Sequence, residues 1–431
     1  MEQETSKFKI VLLGVFGFLI VLGLVTFATF RASNNANANV EVTVWGIMDK
    51  TVFDTFVTQY KDAKTVEFKL TYTQKSLDTI DTELVEAIAT GRAPDVILIP
   101  QELIKRYLDK VSFITSIDTR TFKDTFVQES EMYLTPQGIF ALPFFVDPLV
   151  MYWNRDLFAS AGIAKPPMYW SDFPLLTPKL SRSDTGGNIS RSLAALGEYR
   201  NIDNAKALVS ALIQQAGSPI IAYQGENLQS LLGANPQDQI LVPAVSALNF
   251  YTEYSDPKKA VYSWNRSITS AKQFFLSGNL ATYFGFASEA TELKERNPNL
   301  NIDVAMLPQS LDARTKSTYG NVYGFAFLKS STKTAAAYSI ISQLVSADAI
   351  SILLNYLYVA PARLDLIAKG ASDPARVVFN NSALIARAWI DPDARKTNEI
   401  FQVMVENITT GRMDAATAVG RANLELDTLL K

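Results

Sequence analysis

The sequence predicts an α/β protein built on parallel strands, and three observations carry that reading. Between Val40 and Ile99 the spacing of apolar residues switches from two to helical, back to two, to helical again, and then to a continuous apolar run. The chain has 431 residues, 48% hydrophobic and 19% charged, enough to bury one large core or two ordinary ones. Right-handed crossovers turn a β-α-β-α-β order into a parallel sheet, whose ligands sit beyond the carboxyl ends of the strands.

The elements follow in order. Val40 to Trp45 alternates Val with Glu and Thr, as a half-buried strand does. Thr51 to Tyr60 carries Val52, Phe53, Phe56, Val57 and Tyr60 on one helical face. Val66, Phe68, Leu70 and Tyr72 alternate again. Ser76 is placed to cap a helix presenting Leu77, Ile80, Leu84 and Ile88, which Gly91 and Pro94 stop. Val96 to Ile99 is then a continuous apolar strand. The carboxyl ends of these strands hold Trp45 to Asp49, Thr73 to Lys75 and Pro100-Gln101, so Trp45, Met48, Asp49, Gln74 and Gln101 are candidate ligand contacts. A Trp at such an end serves packing about as readily as it serves as a platform. No G-x-G-x-x-G follows the first strand and no G-x-x-x-x-G-K-[ST] occurs, so no dinucleotide or ATP phosphate cradle is indicated.

Ahead of this region, Ile10 to Phe30 is an uncharged apolar run. As a helix it extends about 31 Å, which matches a hydrocarbon core of about 30 Å. The expected organisation is a short cytoplasmic tail over 1–9, a membrane anchor over 10–30 and a polar linker over 31–39. A secretory signal is the alternative, with Ala36-Asn37-Ala38 as its A-x-A site, although such apolar cores are usually shorter. Lys7 and Lys9 before the run leave the carboxyl-terminal body outside the cell.

Composition excludes several chemistries. The chain contains neither Cys nor His, which removes disulfides, thiol nucleophiles, imidazole bases and ordinary zinc sites; no metal or cofactor is expected. A net charge of −3 supplies no broad basic surface, so nucleic acid is not an expected partner. Ser330 to Lys333 fits S-x-x-K, but neither S-D-N nor K-T-G accompanies it, and a helix cap explains the serines more simply. No spacing picks out a glycosidase carboxyl pair. Asp391-Pro-Asp393 lacks the Gly and closing Glu of a calcium loop and reads as a helix start. The chain is therefore not expected to be an enzyme.

The stretch Gly138 to Trp170 places a short apolar run, a Pro, Asp147 and a second apolar run ahead of Asn154-Arg155-Asp156, then a Gly turn and Pro-Pro-x-x-Trp. Gly91-Arg92-Ala93-Pro94-Asp95-Val96, Phe275 to Ala281, Ala360-Pro361-Ala362-Arg363 and Thr410 to Ala416 follow in order. Together they resemble the pattern of family 1 extracellular solute-binding proteins, the maltose-binding-like receptors of ABC importers. Thr282, Ser288 and the missing lipid-attachment Cys depart from that pattern. The resemblance implies a two-lobe, periplasmic-binding-protein-like fold with three hinge crossings, near Phe144 to Pro148, Ala305 to Gln309 and Val345 to Ile350. Lobe 1 is then 40–146 plus 309–346, and lobe 2 is 147–308 plus 347–431.

It also implies a monomeric receptor that captures a carbohydrate in an interlobe cleft and delivers it to ABC permease subunits from the outer side of the membrane. Sugars need flat aromatics beside acids, amides and Arg. By resemblance Asp147 aligns with a hinge acid that accepts hydrogen bonds from sugar hydroxyls; a capped Asp before Pro148 is the alternative. Trp264, within the polar stretch Tyr262 to Arg266, is the second-lobe platform candidate. Gly285 would let a ligand approach the backbone, and of Tyr283 and Phe286 one is expected in the core and the other in the pocket. Tyr319 to Gly324, Tyr323 among them, is expected on the rim before a strand at Phe325 to Leu328. Arg363 either donates to a ligand or holds a loop. The same fold could instead sense a ligand for another membrane protein, or take a polyamine or peptide.

Overall fold

The computed structural model describes residues 40–431 except 226, 236–241, 312 and 314. The expected tail, membrane run and linker of residues 1–39 lie outside the described residues. Among the described residues no single helix is long and apolar enough to cross a membrane. The chain divides into two compact units. The first holds residues 40–97 and Ser330–Leu344, the second Leu98–Lys329 and Val345–Lys431.

In the first unit, strand β1 (Glu41–Gly46) lies parallel to β2 (Lys69–Gln74), with Trp45 opposite Thr73 and Gly46 opposite Gln74. Strand β3 (Val96–Pro100), whose first two residues belong to this unit, flanks β1 on the other side. Helix α1 (Lys50–Lys64) starts where the Asp49 carboxylate accepts the Val52 N–H at 3.0 Å, and it buries Phe53, Phe56, Val57 and Tyr60. Phe53 stacks on Tyr72 with centroids 4.1 Å apart, which seats the helix on β2. Helix α2 (Ile80–Ala89) buries Ile80, Leu84 and Ala87. It begins later than the sequence predicts. Ser76 closes a turn instead, its carbonyl accepting the Thr79 and Ile80 N–H groups.

Asp95 ties this unit together. Its carboxylate accepts from Thr43 N at 2.8 Å, Thr43 Oγ1 at 2.9 Å and Ser331 Oγ at 2.7 Å. Lys333 lies 3.4 Å away and donates to the Glu41 carbonyl. Burial opposes the Asp95 charge, but these hydrogen bonds and Lys333 outweigh it and hold the carboxyl below its ordinary range. The S-x-x-K sequence is thereby a structural tie, with Ser331 Oγ also accepting the Lys333 N–H at the entrance of the helix Thr334–Leu344.

The second unit is organised by β4 (Leu142–Asn154), thirteen residues that are all buried. Its partners among the described strands are β6 (Leu280–Phe286), β7 (Ile302–Met306), β8 (Gly320–Leu328) and the short β9 (Ala360–Pro361), all antiparallel; β5 (Ile189–Ala194) extends the sheet parallel to β6. Partners change at Pro148. Residues Leu142 to Pro148 pair with β8, and Leu149 to Asn154 pair with β6 and β7. A proline has no N–H to donate, so it fits where one set of ladder bonds ends. Phe144 to Pro148, the first expected crossing, is part of β4. One sequence expectation is corrected here: β8 starts at Gly320, so Tyr323 belongs to the strand and not to a loop before it.

The carboxyl-terminal helices follow the expected signals. Asp393 caps α3 (Ala394–Thr409) by accepting the Lys396 N–H at 3.1 Å. Asp414 caps α4 (Ala415–Leu430) by accepting the Thr417 N–H at 2.9 Å. The neighbouring Asp391 is buried and pairs with Lys206 at 2.5 Å, consistent with a structural helix start.

Candidate ligand-binding site

The predicted contacts fall into two groups, one in each unit. In the first unit, Trp45 at the end of β1 is partly exposed, and the Lys75 ammonium lies 3.9 Å from its ring centroid. Met48 is buried, and its carbonyl accepts the Tyr72 hydroxyl at 2.8 Å. Asp49 is committed to the α1 cap. Gln74 is exposed, and its carbonyl oxygen accepts the Lys50 N–H at 3.0 Å. Of the four, Trp45 and Gln74 keep surface to offer, while Met48 and Asp49 serve the local fold.

In the second unit, β4 and β8 set Asp147 opposite Asn321, with Phe145 opposite Tyr323 two positions along. Gln101 is fully buried and donates Nε2–H to Asn321 Oδ1 at 2.9 Å. Tyr323 keeps part of its surface and stacks on Phe145 with centroids 4.6 Å apart. Phe286, at the end of β6, is also partly exposed and meets Tyr319 edge-on at 6.3 Å. This strand register collects an acid, two amides and aromatic rings on one part of the sheet.

Asp147 itself is held from within. Oδ1 accepts the Ser288 N–H at 2.9 Å and Oδ2 accepts the Ser288 hydroxyl at 2.6 Å. Burial pushes the carboxyl up to about 7, against the bonds from Ser288, and the nearby Glu289 charge adds to the rise. Near neutrality this acid therefore exchanges a proton, and its hydrogen-bonding character switches from acceptor to partial donor.

Glu289 cross-links the turn after β6. Glu289 Oε1 accepts the Phe286 N–H at 2.7 Å and the Asn204 amide at 2.8 Å, while Oε2 accepts the Tyr283 hydroxyl at 2.6 Å and pairs with Lys272 at 2.9 Å. Tyr283 is the core member of the aromatic pair and Phe286 the partly exposed one. Gly285 is a correction. A Cβ there would lie 2.5 Å from Tyr283 and 3.0 Å from Glu289, so internal packing accounts for the glycine without a ligand.

Trp264 is a second correction. It is 0% exposed, donates its indole N–H to Asn201 at 3.2 Å and packs edge-on against Phe274 at 5.5 Å. No face of the ring is open to serve as a platform. Arg363 pairs with Asp365 at 2.7 Å beside it in the chain, the loop-holding alternative. Sequence reasoning missed Ser288 as the partner of Asp147, having noted it only as a departure from an aromatic. It also missed Lys75 as the occupant of Trp45. The parallel register of β1 and β2 is the signal that could have found Lys75, since it follows Gln74 at the adjoining strand end.

The mixed sheet with helices defines an α/β, periplasmic-binding-protein-like fold. Two solved structures share it. One is a cyclo/maltodextrin-binding protein complexed with maltotetraose, with TM-score 0.72 and 14% identity, covering 90% of this chain and 96% of that one. The other is the GacH receptor of Streptomyces glaucescens GLA.O, described unliganded and with acarbose, with TM-score 0.70 and 16% identity, covering 90% of this chain and 98% of that one. Residues 49–350 match the bacterial extracellular solute-binding protein family, and the chain belongs to that family. Putative binding proteins of Brucella abortus (strain 2308) and Brucella suis biovar 1 (strain 1330) are 24% identical over 234 residues, 53% of this chain. The match spans 52% of each of those curated relatives, about half their length. The family is one of solute-binding proteins, and these relatives carry the description of putative binding proteins.

Proposed function

We propose that this chain is the substrate-binding component of an ABC importer, that it captures an oligosaccharide outside the cell, and that it delivers the sugar to a membrane permease. The observation that carries the reading is the group Asp147, Asn321, Gln101, Tyr323 and Phe286, in which acid, amides and partly exposed rings meet on one stretch of sheet. That combination suits a ring of hydroxyls with apolar C–H faces. Family membership and the sugar-bound state of the structural neighbours support the same class of ligand. A polyamine would call for clustered free acids, whereas Asp147 is already bonded to Ser288 and Asp49 to α1.

In this reading, residues 40–146 with 309–346 and residues 147–308 with 347–431 act as lobes that close on the ligand, and residues 10–30 tether the protein to the membrane. The change of β4 partners at Pro148 supports a lobe boundary there. A ligand bound at micromolar strength supplies about 8 kcal/mol, ample to shift a conformational balance of a few kcal/mol. A thermal-shift screen of the full chain against linear oligosaccharides, with polyamines and peptides alongside, tests the ligand class, because a ligand of the folded form raises the midpoint. A rise with a glycan series is expected. A rise confined to a polyamine or peptide would reject the carbohydrate.

A further inference from the structure

Trp45 is the one tryptophan in the chain that is not buried. The other four, Trp153, Trp170, Trp264 and Trp389, are 7%, 5%, 0% and 4% exposed. Its ring face is nevertheless covered by the chain itself. Lys75 hydrogen-bonds through its backbone N–H to the Gly46 carbonyl at 2.7 Å, directly beside Trp45, and folds its side chain back so that the ammonium lies 3.9 Å from the indole centroid. A lysine at a strand end ordinarily extends into water. This one keeps only 17% of its side-chain surface exposed, and its ammonium is also paired with the Glu83 carboxylate on α2.

We propose that Lys75 is a built-in occupant of the Trp45 face, held in place by Glu83, which a ligand ring must displace before it can stack there. Lys75 and Glu83 thereby set the affinity of this position. The proposal rests on the carbohydrate reading above and adds to it a residue that works against binding. The physical basis is competition for one π-face, since an ammonium and a sugar C–H face cannot both lie against the same side of an indole. The hydrogen bond from Lys75 also holds the Glu83 carboxyl below its ordinary range, consistent with a persistent pair. Loss of the ammonium opens the ring; loss of Glu83 loosens it.

The test uses two readouts on the full chain and its Lys75→Ala variant, which removes both the ammonium and the stem that cover the ring. Because the other four tryptophans are buried, acrylamide quenching of tryptophan emission reports chiefly on Trp45. Quenching is expected to rise by about twofold in Lys75→Ala and by less in Glu83→Gln, and the dissociation constant for maltotetraose to fall about tenfold in Lys75→Ala. Unchanged quenching overturns the proposal, as does stronger quenching with unchanged or weaker maltotetraose binding. If maltotetraose binds neither protein, that sugar fails as the ligand and quenching alone decides, a rise upholding Lys75 as the cover of Trp45 and no rise overturning it. Circular dichroism of each variant confirms that the fold is retained.

Discussion

Asp147→Asn isolates the energetic consequence of a carboxyl buried against Ser288. In the folded protein this group is raised from its ordinary value of 3.8 to about 7. Between those two values the unfolded chain gives up a proton that the folded chain keeps, so stability is fully present below the lower value and is lost as pH rises through the upper one. At about 1.4 kcal/mol for each tenfold in proton affinity, the gap destabilises the native state by about 4 kcal/mol once pH exceeds the folded value, and about 2 kcal/mol of that lies between about pH 5 and pH 7. Asn keeps the size of the side chain and an oxygen for the Ser288 N–H, and its amide can donate to the Ser288 hydroxyl. It does not titrate. Urea unfolding of both proteins across about pH 5 to 8 is the assay, with stability taken from the linear extrapolation. Glu129, buried and raised from 4.5 to about 8, adds its own slope to both proteins and cancels in the difference. The variant is expected to gain on the wild type by about 3 kcal/mol from the acid to the alkaline end of the range. Parallel curves would refute the account of Asp147 as a desolvated acid.

Trp264→Ala removes a fully buried ring and is expected to cost about 3 to 5 kcal/mol in urea unfolding, with ligand affinity per folded molecule unchanged in calorimetry. Gly285→Ala drives a methyl into Tyr283 and Glu289 and is expected to cost about 1 to 3 kcal/mol, read as a lowered thermal midpoint without added ligand. Asp95→Ala leaves Thr43, Ser331 and Lys333 without their acceptor and is expected to cost about 3 kcal/mol at neutral pH. Because the Asp95 carboxyl is held below its ordinary range, its stabilisation is present above that range and is lost as pH falls through the depressed value, so the gap between Asp95→Ala and wild type should close in acid.

The first unit was the more legible part of the chain, because its elements are local. The alternation of Val42 and Val44 and the helical face of Phe53, Phe56, Val57 and Tyr60 are each set by residues within a few positions of one another, as is the Asp393 helix start in the second unit. The candidate site was less legible because its partners are remote in sequence. Gln101 meets Asn321 across 220 residues and Asp147 meets Ser288 across 141, and no periodicity encodes such pairings. Trp264 shows how local composition misleads. Its neighbours in sequence are polar, yet Asn201, 63 residues away, supplies the hydrogen bond that lets the indole be buried. Pro148 was read as part of a crossing from the resemblance alone, because the exchange of β4 partners at that residue depends on strands more than 130 positions away.

The central claim is that this chain binds an oligosaccharide, and isothermal titration of the full chain with maltotetraose and a series of shorter and longer linear oligosaccharides tests it most directly. The account predicts saturable, one-to-one binding of at least one member at about micromolar strength, weakened by Asn321→Ala. Absence of heat from every oligosaccharide, together with saturable binding of a polyamine or a peptide under the same conditions, would contradict it.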